Sequence, residues 1–563
     1  MITLGLNIYH PNSSAVLIKD GKILFAIEEE RLNKIKNYTG FPSLAIKDCL
    51  EFSGIKFKHI DNVAVNFNPI FNFGSKLKNV FNNYYNIKDI KKIKKYSIKF
   101  ILKKNYNFSG IIHYIDHHKA HIASSFFTSK IKEGFGLSFD GSGDLMSYGE
   151  YIFENNNIKL LRKKNFPHSL GIFYQAICQY LGFFDYGDEY KVMALGLKGK
   201  KLYLNKFKKL ILYDDNDYNL NLEYFNYKHH SSNEGSPFFD NLFKNSLSKL
   251  LGKPRLSFEK ITQRHCDIAK TLQFVFEDVI LKRLEKISFD YNYDNLCLSG
   301  GCAHNSKLIG LIKKKNYFKN VYVQPNAGDG GGALGAALYI NKPLTRNKLF
   351  NPYLGGEFSN KYIKNTILPS LKHKYPKINY NFHRNYKKLN NIVATQLSKN
   401  KIVGWFQDRM EWGPRALGNR SILANPASNK IKPIINKVIK ERELFRPFAS
   451  SILKDKEKLF FKDLQPDYYM TSVCDVNNIA VKKLKAVTYY RTSRKQTVTK
   501  DFNVKFYNLL KTFEKKTGIP CLLNTSLNIK SPIVYTPDDA LKLFSNSKLD
   551  LLIIQNYIFY KKV

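Results

Sequence analysis

The chain of 563 residues lacks any uninterrupted apolar run near the roughly 18 residues that a membrane-spanning helix needs. Its N-terminus, MITLGLNIYH, lacks the basic region and long apolar core of a secretory signal and starts with a strand-like pattern. The seven cysteines are scattered, with no Cys-x-x-Cys pair, which is typical of reduced thiols in a cytoplasmic protein. These absences predict an intracellular protein without a membrane span.

Acidic residues are also scarce, since 46 Asp and Glu stand against 90 Lys and Arg and the net charge is +44. Such an excess normally suggests a nucleic-acid partner. Here lysine comes with abundant Asn, Ile, Phe and Tyr, a mixture that AT-rich codons produce, so we do not expect nucleic acid as a partner. In the densest basic stretch, residues 86–105, isoleucines recur near helical spacing. We favour a solvated amphipathic helix there over contact with an anionic membrane or an acidic partner.

The length of the chain predicts two domains, because single hydrophobic cores rarely grow beyond about 250 to 300 residues. A hydrophobic content of 44% is enough for both cores. Periodicity lapses around residues 341–360, where Pro, Gly and Asn accumulate. We therefore predict an α/β domain over 1–345, a linker over 346–362 and a second α/β domain over 363–563.

The first domain contains a repeated pattern. Strand-like segments joined by polar turns open the chain as ITLGLNIY, AVLI and KILFAIEEER, and a related series returns in GFGLSFDGSGDLMSYGEYIFENNNIKLLRKK. Helical patterns separate and follow the two series. This repetition predicts a duplicated α/β architecture in which the loops face a common cleft.

Two histidines and two aspartates form a candidate metal site. His117 and His121 follow the strand-like IIHYID and lie four residues apart, so a helix capped by Asp116 would present both on one face. Asp140 in FDGSGD and Asp329 in NAGDGGG supply carboxylates. Each element alone has an ordinary structural explanation. The histidine pair could lie on the surface or in the core, and the glycine-rich segment could be a hairpin turn. Together they predict a site for a divalent metal such as iron, manganese or zinc.

Both aspartates lie in glycine-rich turns, where backbone amides can approach a phosphate closely. LSGGCAHNSKL has a similar pattern, with a strand, a Gly-Gly turn and the start of a helix. Tight packing alone is the alternative explanation for these glycines. The candidate anion-binding residues of the first domain are Gly141, Gly143, Gly300, Gly301, Asn305, Gly328 and Gly330.

The second domain contains an arginine-rich region in a chain whose excess charge is otherwise mostly lysine. It runs through DRMEWGPRALGNRSILANP and NKVIKERELFRPF, whose basic residues recur at helical spacing near a helix stopped by Pro447. Arginine forks match phosphate oxygens, although structural ion pairs to Glu411, Glu441 and Glu443 are the alternative. A polar turn follows the apolar strand in PCLLNTSLN and can hold a nucleotide or cap a segment. The candidate residues are Arg409, Arg415, Arg420, Lys437, Arg442, Arg446, Asn524 and Ser526.

Taken together, the motifs resemble the family of nodulation- and antibiotic-type O-carbamoyltransferases. The series is EEERLNKIK, DHHKAHIASS, FDGSGD, PHSLGIFYQAICQYLGF, DEYKVMALG, LSGGCAHNSKL, NAGDGGGALGAAL, DRMEWGPRALGNRSILANP, KERELFRPFASS and PCLLNTSLN. These motifs occur in the family's order and cover nearly the whole chain.

The resemblance implies an N-terminal domain with the duplicated actin-like ATPase fold and a YrdC-like C-terminal domain. The latter would form carbamoyl-adenylate from carbamoyl phosphate and ATP, with Mg²⁺. The former would transfer the carbamoyl group to a hydroxyl of a sugar or secondary-metabolite acceptor, and its glycine turns would bind the nucleotide or carbamoyl group. The resemblance also implies that the two histidines and two aspartates hold Fe²⁺, that Lys36 contacts the carbamoyl or phosphate group, and that a homodimer forms. His118 is left as a candidate base or a structural neighbour.

Two segments depart from the family pattern. TYYRTSRKQTV places Tyr489, Tyr490 and Arg491 where the family has His, Asp and Gly character, and Asn37 stands where it often has His. Two alternatives therefore stand beside the O-carbamoyltransferase hypothesis. One is a tRNA threonylcarbamoyl-type transferase, and the other is a catalytically silent nucleotide-binding protein.

Overall fold

The computed structural model describes residues 1–72, 98–226, 234–463 and 465–562, which form two compact units. The first unit comprises Met1–Glu30 and Ile35–Phe350, and the second comprises Arg31–Lys34 and the chain from Asn351 onward. The division after Phe350 falls within the segment 346–362 that we predicted as a linker. The sequence does not anticipate that four residues near the N-terminus belong to the second unit.

Five strands form the first sheet of the first unit in the order β3-β2-β1-β4-β5. Their bounds are β1 Ile2–Asn7, β2 Ser14–Lys19, β3 Lys22–Glu28, β4 Asn62–Val65 and β5 Ile111–Tyr114. β1, β2 and β3 pair antiparallel, whereas β4 pairs parallel with β1 and β5 with β4. Asp20 and Gly21, at φ 49° and 73°, join β2 to β3, as expected for a two-residue hairpin turn.

The second sheet repeats this topology strand for strand, in the order β8-β7-β6-β11-β12. β6, β7 and β8 pair antiparallel, and β11 and β12 continue the sheet parallel to β6. This duplication confirms the actin-like ATPase architecture of the first unit. The bounds are β6 Gly134–Gly143, β7 Met146–Glu154, β8 Asn157–Asn165, the separate pair β9 Ile211–Tyr213 and β10 Tyr218–Leu220, β11 Asn295–Ser299 and β12 Asn320–Val323.

The helices of the first unit include those that the sequence periodicity predicts. They are α1 Ser43–Ser53, α2 Ile98–Tyr106, α3 His117–Thr128, α4 Leu170–Tyr180, α5 Glu189–Leu195, α6 Leu204–Leu210, α7 Asn245–Leu251, α8 Gln263–Asp290, α9 Ser306–Lys315 and α10 Asp329–Ile340. A single helical turn, Glu30–Asn33, follows β3.

The close packing of α3 against α10 brings together elements that are far apart in sequence. A Cβ added at Gly335 of α10 would lie 1.8 Å from Ala120 O and 2.7 Å from Ser124 N of α3. On another side of α10, a Cβ at Gly5 of β1 would lie 2.1 Å from Ala333 O. Only glycine permits backbones to approach this closely, so the small residues of α10 fix its position between α3 and the first sheet.

The second unit is built on a nine-stranded mixed sheet in the order β13-β21-β20-β14-β15-β19-β16-β18-β17. The strands are β13 Ile378–Phe382, β14 Val403–Phe406, β15 Arg420–Ala424, β16 Ala449–Leu453, β17 Val473–Asp475, β18 Thr492–Val498, β19 Cys521–Ser526, β20 Leu551–Ile554 and β21 Tyr557–Lys561. The helices are α11 Leu368–Lys374, α12 Tyr386–Ser398, α13 Asn478–Lys483, α14 Val504–Thr517 and α15 Pro537–Ser545, with π-helical turns at Ile363–Ile367 and Ile434–Ile439.

Both faces of this sheet are covered by apolar side chains. Successive strand residues point to opposite faces, so Trp405 packs in a core with α12 and α14, while its neighbour Phe406 packs in a second core with α15. Leu423 likewise packs in the first of these cores and Ile422 in the second. The sheet is therefore a buried central layer, as an α/β domain predicts.

Most of the basic stretch over 86–105, where we predicted an amphipathic helix, lies outside the described residues. Only the part of that stretch within α2 is described. Within α2, Ile98 and Leu102 are buried. Among the described residues, no helix combines the length and apolar character needed to cross a bilayer.

Candidate functional site

Four side chains from three elements converge in the first unit. α3 supplies His117 and His121 one turn apart, β6 supplies Asp140, and Asp329 is the first residue of α10. His121 Nε2 lies 3.0 Å from His117 Nε2 and 2.9 Å from Asp140 Oδ2, and Asp329 Oδ1 lies 3.4 Å from each Nε2. The structure therefore brings all four predicted ligands together, with one donor atom of each within 4.8 Å of the others.

These separations suit a single metal ion. Ligands about 2.1 Å from one cation lie about 3.4 Å apart in a tetrahedron, and adjacent ligands lie about 3.0 Å apart in an octahedron. The histidine-to-histidine and histidine-to-carboxylate separations run from 2.9 to 3.6 Å. All four side chains are largely buried, and burying two carboxylates this closely requires a compensating positive charge. The donor set fits a divalent cation of borderline softness.

The electrostatics of this group support the same conclusion. Burial alone lowers the pKa of His117, but the carboxylates of Asp140 and Asp329 raise it to about 10. Burial raises the pKa of Asp140, yet hydrogen bonds from His117 and His121 hold it well below its usual range. Without a metal the site would therefore hold protons between the imidazoles and the carboxylates, and a bound cation would take their place.

The cap of α3 differs from the sequence prediction. Asp116 occupies the N-cap position, but its side chain makes no capping hydrogen bond to the helix and instead accepts one from Asn68 Nδ2 at 2.8 Å. The carboxylate that receives the first helical N–H is Asp144 Oδ2, 2.9 Å from His117 N. Asp144 follows β6 directly, so the strand that carries Asp140 leads into the residue that fixes the start of α3.

The predicted glycines fall into three groups. A Cβ at Gly143 would lie 2.0 Å from His117 Cδ2, and one at Gly301 would lie 2.9 Å from Asp140 Oδ1, so both keep space for the metal ligands. Gly141 is open, because the nearest atom to an added Cβ is 3.7 Å away. Gly300, Gly328 and Gly330 are closely packed against Phe139, His304 and Asn326. Tight packing thus accounts for most of these positions, and Gly141 keeps room for a ligand.

Two further imidazoles border the ligand group. His118 Nε2 lies 2.8 Å from Met146 O and His118 Nδ1 lies 2.8 Å from Ser138 Oγ, so both ring nitrogens are engaged. Burial lowers the pKa of His118 to about 3. His10, which the sequence analysis did not identify, has its ring 4.6 Å from that of His117. Burial and the charge of His117 lower the pKa of His10 to about 4, so it is a neutral imidazole beside the site.

The remaining predicted residues of the first unit lie at its margin. Lys36 is exposed, and its charge acts on Glu189, whose pKa burial raises to about 7. Asn37 donates from Nδ2 to Tyr186 O at 3.1 Å and from its N–H to Glu30 Oε2 at 2.6 Å. Asn305 caps α9 by accepting the N–H of Leu308 at 3.1 Å, which gives it a structural role.

A cluster of cations forms the second candidate site, in the second unit. Arg494 of β18 is partly buried, and desolvation followed by the positive charge of Arg415, Arg442 and Arg446 lowers its pKa well below the usual range. Its Nε finds no hydrogen-bond partner within the described part of the chain. The carboxylate of Asp467 acts on Arg494, and hydrogen bonds from residues 471 and 472 engage both of its oxygens. Such a cluster suits an anionic ligand.

The lysine of this cluster is Lys440. Lys440 Nζ donates to Ser526 O at 2.6 Å, Asn528 Oδ1 at 2.8 Å and Ser526 Oγ at 3.2 Å. Burial, Arg442 and Arg446 lower its pKa well below the usual range. The predicted Lys437 is exposed instead.

The predicted helix is also shorter than expected. Its π-helical turn ends at Ile439, and Arg442 and Arg446 follow in an irregular segment. Ser526, which the sequence analysis did identify, therefore meets Lys440 and not Lys437.

Three predicted anion-binding residues of the second unit hold the backbone in place. Arg420 is fully buried, stacks over the Phe406 ring at 3.6 Å and donates to four carbonyls between residues 356 and 419. Arg409 donates to Leu354 O and Gly355 O. Asn524 is buried and donates to Ala416 O, Ser451 Oγ and Gln496 Oε1. These contacts give the three residues structural roles.

The three glutamates that the sequence offers as ion-pair partners have different contacts in the structure. Glu443 Oε2 lies 3.7 Å from Arg446 Nη1, which is a long contact. Glu441 pairs with Lys530 at 2.8 Å, and Glu411 accepts backbone N–H groups from residues 417, 419 and 420. Glu441 and Glu411 therefore bind groups outside the cluster, and Glu443 faces Arg446.

Comparison with known proteins identifies the family. The family model for the carbamoyltransferase N-terminus matches residues 2–338, and that for the carbamoyltransferase C-terminus matches residues 394–561. The chain belongs to the carbamoyltransferase family. It is 30% identical to nodulation protein NolNO of Sinorhizobium fredii, across 99% of this chain and 80% of that protein. An uncharacterized protein of Synechocystis, sll1178, is 34% identical across 99% of this chain and 96% of its own length.

Family membership confirms that the protein is a transferase of carbamoyl groups, as the motif series implied. Among solved structures, HypF from T. kodakarensis is similar over 60% of this chain and 47% of its own, with a TM-score of 0.31 and 12% identity.

The departure from the family pattern lies at a turn of this carbamoyltransferase. Tyr490 and Arg491 have φ angles of 44° and 63° between the bridged residues Tyr489 and Thr492. Tyr490 is 67% exposed, and Arg491 is exposed and donates to Asn478 Oδ1. Both therefore project away from the protein interior, whereas the partly buried Arg494 of the cluster comes three residues after Arg491.

Proposed function

We propose that the protein is an ATP-dependent O-carbamoyltransferase that forms carbamoyl-adenylate in the second unit and transfers the carbamoyl group to an acceptor hydroxyl in the first. The observation that carries this proposal is the presence of two unlike charged sites. One combines two imidazoles and two carboxylates, and the other combines four arginines and a lysine.

In the second unit, the cations would hold the phosphates of carbamoyl phosphate and Mg-ATP. Water releases phosphate from carbamoyl phosphate, the resulting carbamate oxygen attacks the α-phosphorus of ATP, and pyrophosphate leaves. Arg494, Arg415, Arg442, Arg446 and Lys440 would offset charge on the transferring phosphates. We leave Arg409, Arg420 and Lys437 out of this set, because of the backbone contacts of the first two and the exposure of the third.

In the first unit, the acceptor oxygen attacks the carbamoyl carbon, the bond from that carbon to the adenylate oxygen breaks, and AMP leaves. We assign His10 as the group that takes the hydroxyl proton, because its ring borders that of His117. His118, the candidate base from the sequence analysis, is not assigned this role, because both of its ring nitrogens already make hydrogen bonds. Lys36 and the open Gly141 remain proposed contacts for the phosphate or carbamoyl group.

His117, His121, Asp140 and Asp329 would hold a divalent metal, for which we propose Fe²⁺. A cation held there would polarise the carbamoyl carbonyl and so favour attack on its carbon. The two carboxylates also orient the imidazoles, with Asp140 Oδ2 2.9 Å from His121 Nε2. Metal analysis of the anaerobically purified protein identifies the ion.

The decisive test is carbamoyl-phosphate-dependent release of pyrophosphate from ATP, with detection of carbamoyl-adenylate by mass spectrometry. We expect Arg446→Ala to abolish release and His117→Ala to retain it, because the two residues belong to different units. Arg491→Ala, at the exposed turn, serves as the matched arginine control and should release pyrophosphate at the wild-type rate. No release by the wild type would contradict the proposal and favour a silent nucleotide-binding protein.

A further inference from the structure

Two arginines of the cationic cluster lie on an irregular segment of the second unit. Arg442 and Arg446 fall between the π-helical turn and strand β16. The Arg442 N–H donates to Asn436 O at 2.8 Å, and the Arg446 N–H donates to Glu443 O at 3.2 Å. Such a segment lacks the continuous hydrogen bonds of a helix or strand and is more easily displaced. The directions of the two guanidinium groups therefore depend on side-chain contacts from other parts of the unit.

The side chain of Asn436 contacts both arginines. Asn436 is fully buried in the π-helical turn, where its Oδ1 accepts a hydrogen bond from Arg442 Nε at 2.7 Å. Its Nδ2 donates to Arg446 O at 3.0 Å and to Leu444 O at 3.4 Å. A side-chain amide combines an acceptor and a donor group in one plane. Asn436 therefore holds the Arg442 guanidinium directly and the backbone of Arg446 on the same segment.

Tyr489, one of the residues that depart from the family pattern, holds the same carbonyl from a second element. Its hydroxyl donates to Arg446 O at 3.3 Å, so this carbonyl accepts from both Asn436 and Tyr489. The position of Tyr489 is itself fixed, because its backbone pairs with that of Thr492 across the turn and Lys432 Nζ lies 3.5 Å from the centre of its ring. Burial raises the pKa of Tyr489, so the hydroxyl stays protonated and able to donate.

We propose that Asn436 and Tyr489 are positioning residues of the activation reaction, which hold two arginines of the cationic cluster in the orientation that binds phosphate. This inference rests on the proposed function and adds to it two residues that act through the arginines. The charges of Arg442 and Arg446 both act on Arg494, and like charges at close range repel one another. Anchoring the segment opposes that repulsion and lowers the ordering cost that binding an anion would otherwise include.

The test is isothermal titration of the full-length protein with inorganic pyrophosphate. We expect Asn436→Ala to weaken binding about tenfold and Tyr489→Phe about fivefold, because each loses hydrogen bonds that orient a charged group. Two matched controls should bind as the wild type does: Tyr490→Phe, at the adjacent tyrosine that is 67% exposed, and Asn390→Ala, at a buried asparagine of α12. Thermal melts without ligand show which variants fold, and Tyr489→Phe keeps the test valid if Asn436→Ala does not fold.

A positioning role has two signatures that loss of stability alone would not give. In the Arg446→Ala background, Tyr489→Phe should change pyrophosphate affinity by less than about twofold, because the guanidinium that it positions is gone. In the pyrophosphate-release assay, the KM for carbamoyl phosphate should rise in Tyr489→Phe together with the dissociation constant. A variant that is only destabilised keeps the wild-type KM.

Two results would overturn the inference: wild-type affinity in both Asn436→Ala and Tyr489→Phe, or an undiminished effect of Tyr489→Phe in the Arg446→Ala background. Pyrophosphate release separates this inference from the proposed function. A wild type that binds pyrophosphate through these residues but releases none from ATP would retain the positioning role at an anion site and contradict the activation reaction. Release at the wild-type KM in both variants would retain the activation reaction and contradict the positioning role.

Discussion

Replacement of Lys440 by methionine gives a direct test of the cationic site, because Lys437 provides a matched control three residues away. Lys440 is buried with three hydrogen bonds to Ser526 and Asn528, and Lys437 is exposed. Methionine keeps the length of the side chain and removes its charge. We expect Lys440→Met to weaken carbamoyl phosphate binding strongly and Lys437→Met to leave it nearly unchanged.

The magnitude follows from the charge. At a pH below the lowered pKa of Lys440, where the lysine is charged, and at an effective dielectric constant of about 20, a unit charge about 6 Å from a phosphate oxygen contributes about 3 kcal/mol, which is about a hundredfold in the dissociation constant. The exposed charge of Lys437 is screened and should change affinity less than about twofold.

The variant should remain folded because two effects on stability oppose each other. Loss of the ammonium leaves Ser526 and Asn528 with unmet acceptors, which costs about 1 to 3 kcal/mol. Removing a buried charge from beside Arg442 and Arg446, which lower its pKa well below the usual range, offsets part of that cost. A thermal melt of each variant without ligand measures the difference.

Isothermal titration with carbamoyl phosphate measures the affinities, and pyrophosphate release gives the corresponding KM. Equal affinity in Lys440→Met and wild type would refute the assignment of this lysine to the anion site. A large loss in Lys437→Met alone would favour the residue predicted from helical spacing and would contradict the exposure of that side chain.

Three further outcomes test the two sites. His121→Ala should lose bound metal and carbamoyl transfer but keep pyrophosphate release, as metal analysis and both assays would show. Gly335→Ala should lower stability by about 1 to 3 kcal/mol, because the new Cβ would meet Ala120 O at 1.8 Å, whereas Gly141→Ala, with 3.7 Å of space, should melt like the wild type. Sulfate affinity, followed by thermal shift, should fall as pH rises through the lowered pKa of Lys440, because only the charged lysine attracts the anion; a pH-independent affinity would contradict that role.

The convergence of the four candidate metal ligands could be predicted from the sequence because local structure fixes the position of each. The i, i+4 spacing of His117 and His121 needs only that the segment be helical, and Asp140 and Asp329 lie at the end of a strand and the start of a helix. Asp144 could not be identified as the helix cap in this way. It is 27 residues from His117 in sequence, and only the fold brings its carboxylate to the first N–H of α3.

The position of His10 beside His117 depends on the strand topology, but the sequence carried a signal for it. β1 and β5 lie on either side of β4 and run parallel to it, so their carboxyl ends share one edge of the sheet. His10 follows β1 and His117 follows β5, which explains their ring contact of 4.6 Å. Strand order, which the sequence analysis did not derive, would have been enough to place the two residues together.

In the cationic cluster, helical spacing of the basic residues selected Lys437, whereas the structure buries Lys440. Ile431, Ile435 and Ile439 recur every four residues and are buried. Lys437 is two residues from each of the last two, which places it on the opposite, solvent-facing side of a helix, while Lys440 directly follows the last of them at the end of the π-helical turn. Apolar periodicity therefore identifies the inward-facing lysine, whereas the density of positive charge cannot, because the chain carries lysine throughout. Exposure likewise separates the partly buried Arg494 of β18 from Arg491, which lies at the exposed turn before that strand.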